Sequence, residues 1–400
     1  MGAGLSGLAC ATALVREGHS VEVLEASDAV GGRVRTDLVD GMLLDRGFQV
    51  HNTGYPEAKR VLDHAEMDLQ YFVRGALVRF GDRLHRVGDP RSAPLWAPTS
   101  ITAPIGSLKD KALLGVSAGR AALGSPDRLL SAPETTTREA LRQRGFSDTV
   151  VDRFLRPFLS GVLLEDDLET SSRFFDLIWR SFVLGRQCVP AAGMGAIPAQ
   201  LADRLPAGTV RLGTPVAQVG PGFVVTEGGE RLAARAVVVA TDPPTAGRLL
   251  PGLDVPVMNG EVTHYHLAPE PPVRSAAIVL DAERSGPVAD SVVMTQAAPS
   301  YAPGRHLVAS AVVTGDASEP TVRAHLARMY GVDTSGWEHV ARYDIPEALP
   351  SQAPPMGRFR KPVRLEPGLF VCGDHRDSAS QQGALVSGRR AATAVLEELA

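Results

Sequence analysis

The spacing of apolar and polar positions predicts strands and helices at both ends of the chain. Val21-Glu-Val-Leu-Glu25 alternates as a half-buried strand does, and Gly18 stands where a preceding helix would end. Near the other end, residues 368–374 contain a short apolar strand pattern, and residues 382–396 have helical composition and periodicity. Strand and helix patterns that alternate in this way are typical of an α/β fold.

The two segments between these ends carry different patterns. Residues 52–188 are mostly helical in pattern, and Thr136 stands three positions before a glutamate, the spacing of a helix capping box. Residues 251–338 contain short alternating runs that predict the strands of a small antiparallel sheet. His264 and His266 share one face of such a strand, but no carboxylate or cysteine stands nearby at ligand spacing, so we predict no metal site.

Composition places the chain among globular proteins with one large domain or two interleaved domains. It has 400 residues, of which 44% are apolar and 22% are charged, and its formal net charge is -4. This charge lacks the excess of lysine and arginine that nucleic-acid binding requires, so we expect no nucleic-acid partner. No apolar run approaches the length of a membrane-spanning helix, and we therefore expect a cytoplasmic protein without a transmembrane segment.

Two smaller features concern the cysteines and one amphipathic segment. Cys10, Cys188 and Cys372 are far apart in the chain, which favours buried free thiols over a disulfide framework. The pattern at 108–123 is amphipathic and carries two lysines, which fits either a lid helix or a helix that lies on a membrane surface. We predict the lid helix and keep peripheral membrane contact as the alternative.

The strongest local signal is a G-x-G-x-x-G motif at Gly2, Gly4 and Gly7. The first glycine allows a tight turn, the second lets the backbone approach a pyrophosphate, and the third lets a helix pack closely on a sheet. Glu25 follows 18 positions after Gly7, close to the spacing of a carboxylate that accepts hydrogen bonds from ribose hydroxyls. Because a helix N-terminus also attracts phosphate, these features predict an adenine-dinucleotide site.

The glycine motif should follow a buried parallel strand, yet only Met1 precedes its first glycine. An empty strand position at the centre of the sheet would leave ladder N–H and C=O groups unpaired, at about 1 to 3 kcal/mol for each buried group. We therefore expect that the first strand is truncated and that the native start lies roughly five to fifteen residues upstream.

A second motif indicates which dinucleotide binds. After Glu25 the chain carries a glycine doublet followed by Arg33, and the run from Glu25 to Thr36 resembles the E-x-x-x-x-x-G-G-R-x-x-T motif of a flavoprotein superfamily. That superfamily includes amine oxidases, protoporphyrinogen oxidases and phytoene desaturase-like enzymes. The resemblance implies non-covalently bound FAD, with Arg33 at its phosphates and residues 47–50 close to the flavin.

Two further segments resemble the same superfamily. Gly373 and Asp374 end the apolar strand near the C-terminus, and the resemblance implies that Asp374 bonds the ribityl chain. It also implies that the next helix begins at flavin N1 and the C2 oxygen, where a positive helix end favours the reduced flavin. Residues 190–205 look like the superfamily's glycine-methionine turn and helix, and Val216 beyond them would reach the adenine through its backbone.

Candidate site residues follow from these segments. The residues expected at FAD are Gly2, Gly4, Leu5, Ser6, Gly7, Glu25, Ala26, Gly32, Arg33, Gly47, Phe48, Val216, Gly373, Asp374, Gln382 and Ala384. The residues expected to line a substrate site are Gln49, His51, Phe158, Phe175 and Tyr343. For the aromatic residues of the predicted helices, ordinary packing in a core is the alternative.

The resemblance implies an α/β fold in which a Rossmann-like FAD-binding domain is interleaved with an α+β substrate domain. The FAD-binding domain would comprise residues 1–51, 189–250 and 339–400. The substrate domain would comprise residues 52–188, mainly a helical cap, and residues 251–338, a small antiparallel sheet.

The chemistry implied by the resemblance is the removal of a hydride from a C–H bond of a largely apolar organic substrate to flavin N5. Two departures weigh against a conventional amine oxidase. That group has an active-site lysine, whereas no lysine lies between Lys111 and Lys361, and Ser380 replaces a tyrosine of its aromatic cage. We therefore predict an FAD-dependent oxidase or dehydrogenase closer to the protoporphyrinogen oxidases or desaturases.

Two other functions remain as alternatives to oxidation of this kind. A flavin-dependent isomerase or cyclase would use the same fold without net oxidation. A truncated remnant without catalytic activity would follow if the missing first strand prevented FAD binding. The small-molecule substrate and the electron acceptor, which could be oxygen, a quinone or another carrier, stay open at this point.

Overall fold

The computed structural model of the protein describes residues 1–89 and 93–400. Its helices are α1 Leu5–Arg16, α2 Pro56–Val61, α3 Ala97–Thr102, α4 Leu108–Leu123, α5 Pro126–Leu130, α6 Thr137–Gln143, α7 Asp148–Val150, α8 Arg156–Leu163, α9 Ser172–Leu184, α10 Ala196–Ala202, α11 Pro243–Leu249, α12 Met294–Ala297, α13 Glu319–Tyr330 and α14 Gln381–Leu399. Its strands are β1 Val23–Leu24, β2 Thr36–Val39, β3 Met42–Asp45, β4 His51–Asn52, β5 Leu69–Tyr71, β6 Gly75–Phe80, β7 Arg83–Gly88, β8 Gln187–Pro190, β9 Val210–Arg211, β10 Val216–Gly220, β11 Phe223–Thr226, β12 Arg231–Ala233, β13 Val237–Val239, β14 Met258–Ala268, β15 Ile278–Asp281, β16 Val288–Val293, β17 His306–Val312, β18 Glu338–Pro350, β19 Arg364–Glu366 and β20 Leu369–Val371.

Short parallel strands beside the N-terminal glycine turn form the Rossmann-like part. β1 pairs in parallel with β9, and β13 pairs in parallel with β20. The first residues lie between these two pairs, since the Gly2 N–H donates to the Leu24 carbonyl at 2.7 Å and the Ala240 N–H donates to the Met1 carbonyl at 2.8 Å. Helices α1 and α14 pack on these strands. Buried parallel strands covered by helices confirm the predicted α/β class.

The second part of the molecule is built on a seven-stranded sheet with the strand order β18-β14-β17-β16-β15-β6-β7. Its neighbouring strands are antiparallel except β15 and β6, which are parallel. The predicted small antiparallel sheet is therefore larger than residues 251–338 and contains one parallel pair, because β6 arrives from a distant part of the chain.

Three strands of this sheet come from segments that the sequence assigned elsewhere. β6 and β7 form a hairpin within the predicted helical cap, and Gly81 supplies the left-handed conformation of its turn, with φ +58°. β18 crosses the predicted boundary at residue 338 and pairs with β14 instead of joining the FAD-binding part. As the edge strand, β18 carries many exposed polar side chains, which hid its alternation in the sequence.

Helices α4 to α9 form the predicted cap. α4 has the bounds of the amphipathic pattern, and Ser107 opens it with a complete capping box to Asp110. The Thr136 hydroxyl caps α6 by accepting from the Glu139 N–H at 3.2 Å. α4 leaves three apolar side chains exposed, Leu108, Val116 and Leu123, and peripheral membrane contact stays a prediction.

Several smaller predictions can be compared with the structure. Among the described residues, no helix is both long enough and apolar enough to cross a membrane. Cys10, Cys188 and Cys372 are buried free thiols, as predicted, and burial raises the pKa of Cys188 and of Cys372 to about 12. His264 and His266 share one face of β14, and their rings bond the Ala317 carbonyl and the Glu319 carboxylate.

Candidate functional site

A cavity of about 1360 Å³ joins the Rossmann-like part to the helical cap. Its walls include the glycine turn before α1, the Arg33 segment and the start of α14. On the cap side its walls include Phe154, Phe158 and Trp179. Residues that the sequence assigned to FAD and residues that it assigned to the cap therefore meet at one site.

The three motif glycines have different surroundings. A Cβ on Gly2 would lie 2.6 Å from the Ala240 carbonyl oxygen, and a Cβ on Gly7 would lie 1.9 Å from the Gly2 carbonyl oxygen. At Gly4 no protein atom lies within 4 Å of the Cβ position, and Gly4 lines the cavity. Gly2 and Gly7 thus allow close backbone packing, whereas Gly4 leaves an open cradle at the N-terminus of α1.

Glu25 is held at the end of β1. Its Oε2 accepts from the Ala3 N–H at 2.6 Å, and its Oε1 accepts from the Ser27 N–H at 2.9 Å and the Ser27 hydroxyl at 2.7 Å. The side chain is buried and still lines the cavity. This fixed carboxylate beside the glycine turn fits a ribose, whose hydroxyls are hydrogen-bond donors.

Arg33 and Asp374 form an ion pair on the cavity wall. The Arg33 guanidinium donates to Asp374 Oδ1 at 2.8 Å and to the Ala348 carbonyl at 2.8 Å. Burial disfavours the charge of Arg33, but the Asp374 carboxylate outweighs this effect, and the pKa of Arg33 is raised. The pair keeps a positive group next to the open space at Gly4.

A second helix N-terminus faces the cavity at α14. The Ser380 hydroxyl caps this helix by accepting from the Gly383 N–H at 3.1 Å. Ser380, Gln381 and Ala384 line the cavity. Both α1 and α14 therefore direct the positive ends of their dipoles to one site, which suits an anionic ligand.

The loop after β3 is anchored on both sides. The Phe48 N–H donates to Thr263 Oγ1 on β14 at 2.9 Å, and the Gln49 side-chain amide donates to the Arg33 and Arg46 carbonyls, each at 2.7 Å. Phe48 and Gln49 line the cavity. The loop thus has a fixed position between the Arg33 segment and the large sheet.

Most of the residues expected at FAD line this cavity. They are Gly2, Gly4, Leu5, Ser6, Glu25, Ala26, Gly32, Arg33, Phe48, Val216, Gly373, Asp374 and Ala384. Gly7, Gly47 and Gln382 do not line it. Gly7 is covered by the Gly2 carbonyl, Gly47 lies behind Phe48 against Glu261, and the Gln382 side chain accepts from the Glu57 N–H at 2.9 Å.

Two of the five expected substrate-lining residues, Gln49 and Phe158, line the cavity. The other three do not line it, because each is held by other contacts. His51 bonds Gln381 and His64, Phe175 is buried in the core of the cap, and the Tyr343 hydroxyl donates to Asp37 at 3.0 Å.

Sequence reasoning missed two buried carboxyl groups in the cavity wall, Glu261 on β14 and Asp290 on β16. Glu261 shares its strand face with Thr263 and Tyr265 by the two-residue period, which was the available signal. The site prediction for this segment concerned only His264 and His266, which lie on the opposite face of β14. Asp290 carries no comparable local signal.

Comparison with known proteins decides the family, since the sequence profile of the family described as "Flavin containing amine oxidoreductase" matches residues 5–396. The chain belongs to this family. Membership in the flavin-containing amine oxidoreductases confirms the predicted resemblance. The protein is accordingly an FAD-dependent oxidoreductase, and the residues around Gly4, Glu25 and Arg33 fit that cofactor.

Relatives within this family include enzymes of several kinds. Hydroxysqualene dehydroxylase from Rhodopseudomonas palustris is 27% identical, and the alignment covers 99% of this chain and 97% of that protein. Putrescine oxidase from Kocuria rosea is 28% identical over 62% of this chain and 57% of that protein. Cyclohexylamine oxidase from Brevibacterium oxydans has a solved structure with a TM-score of 0.72 at 18% identity, covering 100% of this chain and 98% of that one. This last similarity shows the fold.

Proposed function

We propose that the protein oxidises a largely apolar organic substrate by transfer of a hydride from one of its C–H bonds to N5 of FAD. The observation that supports this is the cavity shared by Arg33, Asp374 and the aromatic cap residues Phe158 and Trp179. Bound FAD supplies the position that accepts the hydride. The C–H bond would break with its electron pair leaving as hydride, and loss of a proton from the adjacent atom to solvent would complete the two-electron oxidation of the substrate.

The proposed FAD site uses groups that are already fixed in place. The open cradle at Gly4 and the α1 N-terminus would receive the pyrophosphate, with the Arg33 guanidinium beside it. The Glu25 carboxylate would accept from ribose hydroxyls, and Asp374 would bond the ribityl chain. In this proposal the chain's own residues bind and orient the cofactor before the substrate enters.

The cap supports an apolar substrate. Phe154 and Phe158 stack with their ring centroids 6.2 Å apart, and Trp179 meets Phe158 edge-on at 6.4 Å. Together with Ile105 and Leu114, these side chains face the cavity and would exclude water from it. The relative that covers nearly the whole chain is named for hydroxysqualene, which fits the same substrate class.

Anaerobic reduction of the bound flavin tests this proposal. We expect that porphyrinogens or polyenes bleach the flavin absorbance of the purified holoenzyme, while simple alkylamines leave it unchanged, because the cavity wall is mainly apolar. Rapid mixing without oxygen, followed by oxygen or a quinone, measures both half-reactions. Bleaching by alkylamines alone, or by no member of the three classes, would contradict the proposal.

Arg33→Met is expected to weaken FAD binding by roughly thirtyfold, equivalent to about 2 kcal/mol. The change removes the guanidinium from the cavity and leaves the buried Asp374 carboxylate without its cation. Methionine keeps much of the apolar stem, so the effect comes mainly from the lost charge. Flavin content per protein after dialysis, followed by titration with FAD, measures it.

The matched control is Arg35→Met, two residues along the chain. Arg35 pairs with Asp28, whose side chain is 83% exposed, and Arg35 does not line the cavity. We expect little change in FAD affinity, because Arg35 lies outside the cavity and its exposed partner Asp28 stays solvated when the guanidinium is removed. Equal flavin retention in both variants would refute the assignment of Arg33 to the phosphates.

A further inference from the structure

Glu261 projects from the face of β14 that meets the Rossmann-like part. Thr263 and Tyr265 share this face, and they bond the Phe48 N–H and the Asp45 carbonyl, each at 2.9 Å. Glu261 itself lies against the loop after β3, since a Cβ on Gly47 would lie 2.6 Å from Glu261 Oε1. The Glu261 carboxyl is therefore held beside the loop that carries Phe48 into the cavity.

Asp290 reaches the same cavity from β16, two strands away across the sheet. Its carboxyl fills the space that a side chain at Gly161 of α8 would take, because a Cβ there would lie 1.7 Å from Asp290 Oδ2. Within residues 1–89 and 93–400, Asp290 Oδ1 has no hydrogen-bond partner. A buried oxygen without a partner in a cavity wall can form a hydrogen bond with a bound ligand.

The carboxyl pair is enclosed. Glu261 is 7% exposed and Asp290 is 5% exposed, and Phe158 and Ile278 belong to the same cavity wall. Among the described residues, no lysine or arginine contributes to the ionisation of either carboxyl. Two uncompensated negative charges in such surroundings are strongly disfavoured, so the two carboxyls are not both ionised at neutral pH.

We infer that Glu261 and Asp290 form a proton-holding pair that binds the oxygen-bearing end of an otherwise apolar substrate, an alcohol or a carbonyl compound. Glu261 donates a hydrogen bond to that oxygen, and Asp290 is the positioning residue that helps to keep Glu261 protonated. This inference rests on the proposed function, because it adds one polar anchor to the apolar substrate proposed above.

The titration of the two carboxyls agrees with this geometry. Burial and the neighbouring Asp290 raise the pKa of Glu261 to about 8, against a smaller opposing effect of the Phe48 N–H. Burial raises the pKa of Asp290 to about 7. A protonated carboxyl can donate to an oxygen lone pair, whereas an ammonium group only donates and forms its stronger, charge-assisted hydrogen bond with an ionised carboxylate. Protonated Glu261 is therefore the member of the pair that donates to an oxygen at neutral pH.

Other titratable groups approach the pair from neighbouring elements: Tyr265 interacts with Glu261, Tyr330 interacts with Asp290, and Arg46 and Asp344 belong to the same cavity wall. Arg46 bonds another carboxylate, Asp37. Burial raises the pKa of both tyrosines, and the bond to Arg342 lowers the pKa of Asp344. Burial raises the pKa of Asp45 to about 6, below the range of the pair. Glu261 and Asp290 are therefore the groups that titrate nearest to pH 8, and Glu261→Gln separates their contributions.

Ligand binding to the oxidised holoenzyme tests the inference independently of turnover. The probes are a long-chain primary alcohol and the alkylammonium ion of the same chain length, titrated by calorimetry from about pH 6 to about pH 10. We expect the alcohol to bind at low pH and to lose affinity by about tenfold per pH unit above about pH 8, because ionised Glu261 cannot donate. The pH dependence should disappear in Glu261→Gln, whose amide donates but cannot ionise.

Two further variants complete the test. Asp290→Asn removes the neighbouring negative charge and should move the alkaline loss of alcohol binding to lower pH. Glu347→Gln, at an exposed carboxyl of the same cavity, should keep the wild-type profile.

Three results would overturn the inference: no alcohol binding at any pH, a wild-type profile without pH dependence, or tighter binding of the ammonium ion than of the alcohol below pH 7. The last result would indicate a cation site. Flavin bleaching by apolar substrates would remain as a separate test of the proposed function.

Discussion

Gly388→Ala is expected to lower the free energy of unfolding by about 2 to 3 kcal/mol and to weaken FAD retention. α14 crosses α1 at this glycine, where a Cβ would lie 2.1 Å from the Ser6 carbonyl oxygen and 3.2 Å from the Ala9 Cβ. The backbone of Ser6 cannot rotate away as a long side chain can, so the two helices must separate. Because both helices begin at the cavity, their N–H groups would move apart. Thermal unfolding and flavin content after dialysis measure the two effects.

A glycine inside another helix provides the matched control. Gly119 lies within α4, and no protein atom lies within 4 Å of its Cβ position. Gly119→Ala should stabilise the protein by about 0.5 to 1 kcal/mol, because alanine has the higher helix propensity. If Gly388→Ala matched this gain, the close crossing of α1 and α14 would be wrong.

The cofactor end of the site could be predicted from the sequence because its geometry is local. Gly2, Gly4 and Gly7 act within one turn, and Glu25 follows at the end of the next strand. The steric demands of a tight turn, a close ligand approach and a helix–sheet contact select glycine at these positions. For these four residues spacing carried the prediction, whereas Arg33, Val216 and Asp374 were expected from the family resemblance.

The substrate end depends on contacts between distant parts of the chain. The His51 ring turns to Gln381, and the Tyr343 hydroxyl turns to Asp37, more than 300 positions away in each case. Neither partner is visible in the sequence around these two residues. The strand β18 is similar, since its place in the large sheet is set by pairing with β14 and not by its own weak pattern.

The segment 251–338 lacks the lysine of the amine oxidases and contains the buried carboxyl of Glu261. The resemblance implied a lysine within 251–338, and this chain has none there. The region instead supplies Glu261 and Asp290 to the cavity wall. A cation and a neutral acid direct different substrate groups to a site, so the inferred role of Glu261 predicts a substrate preference different from that of a conventional amine oxidase.

Glu261→Gln is expected to stabilise the holoenzyme by about 2 to 4 kcal/mol at pH 8 and to change its stability little at pH 5. The pKa of Glu261 rises from an ordinary value of 4.5 to about 8 on folding. Between these values the unfolded chain has lost the proton and the folded chain still holds it, so the wild-type contribution is present at low pH and is lost as pH rises. Glutamine has no proton to lose, and its stability should follow a flatter pH profile. Urea unfolding at saturating FAD, repeated along the pH range, measures the difference.

The comparison variant is Glu397→Gln, which makes the same chemical change on the exposed side of α14. Its effect should be small at both pH values, because substitutions at exposed positions change stability by about 0.5 kcal/mol or less. A gain for Glu261→Gln that is equal at pH 5 and pH 8 would mean that the amide packs better than the carboxyl, without any role for the proton. A loss at pH 8 would mean that Glu261 is ionised there and has a cationic partner. Only a gain that grows with pH supports a carboxyl that burial keeps protonated at the cavity.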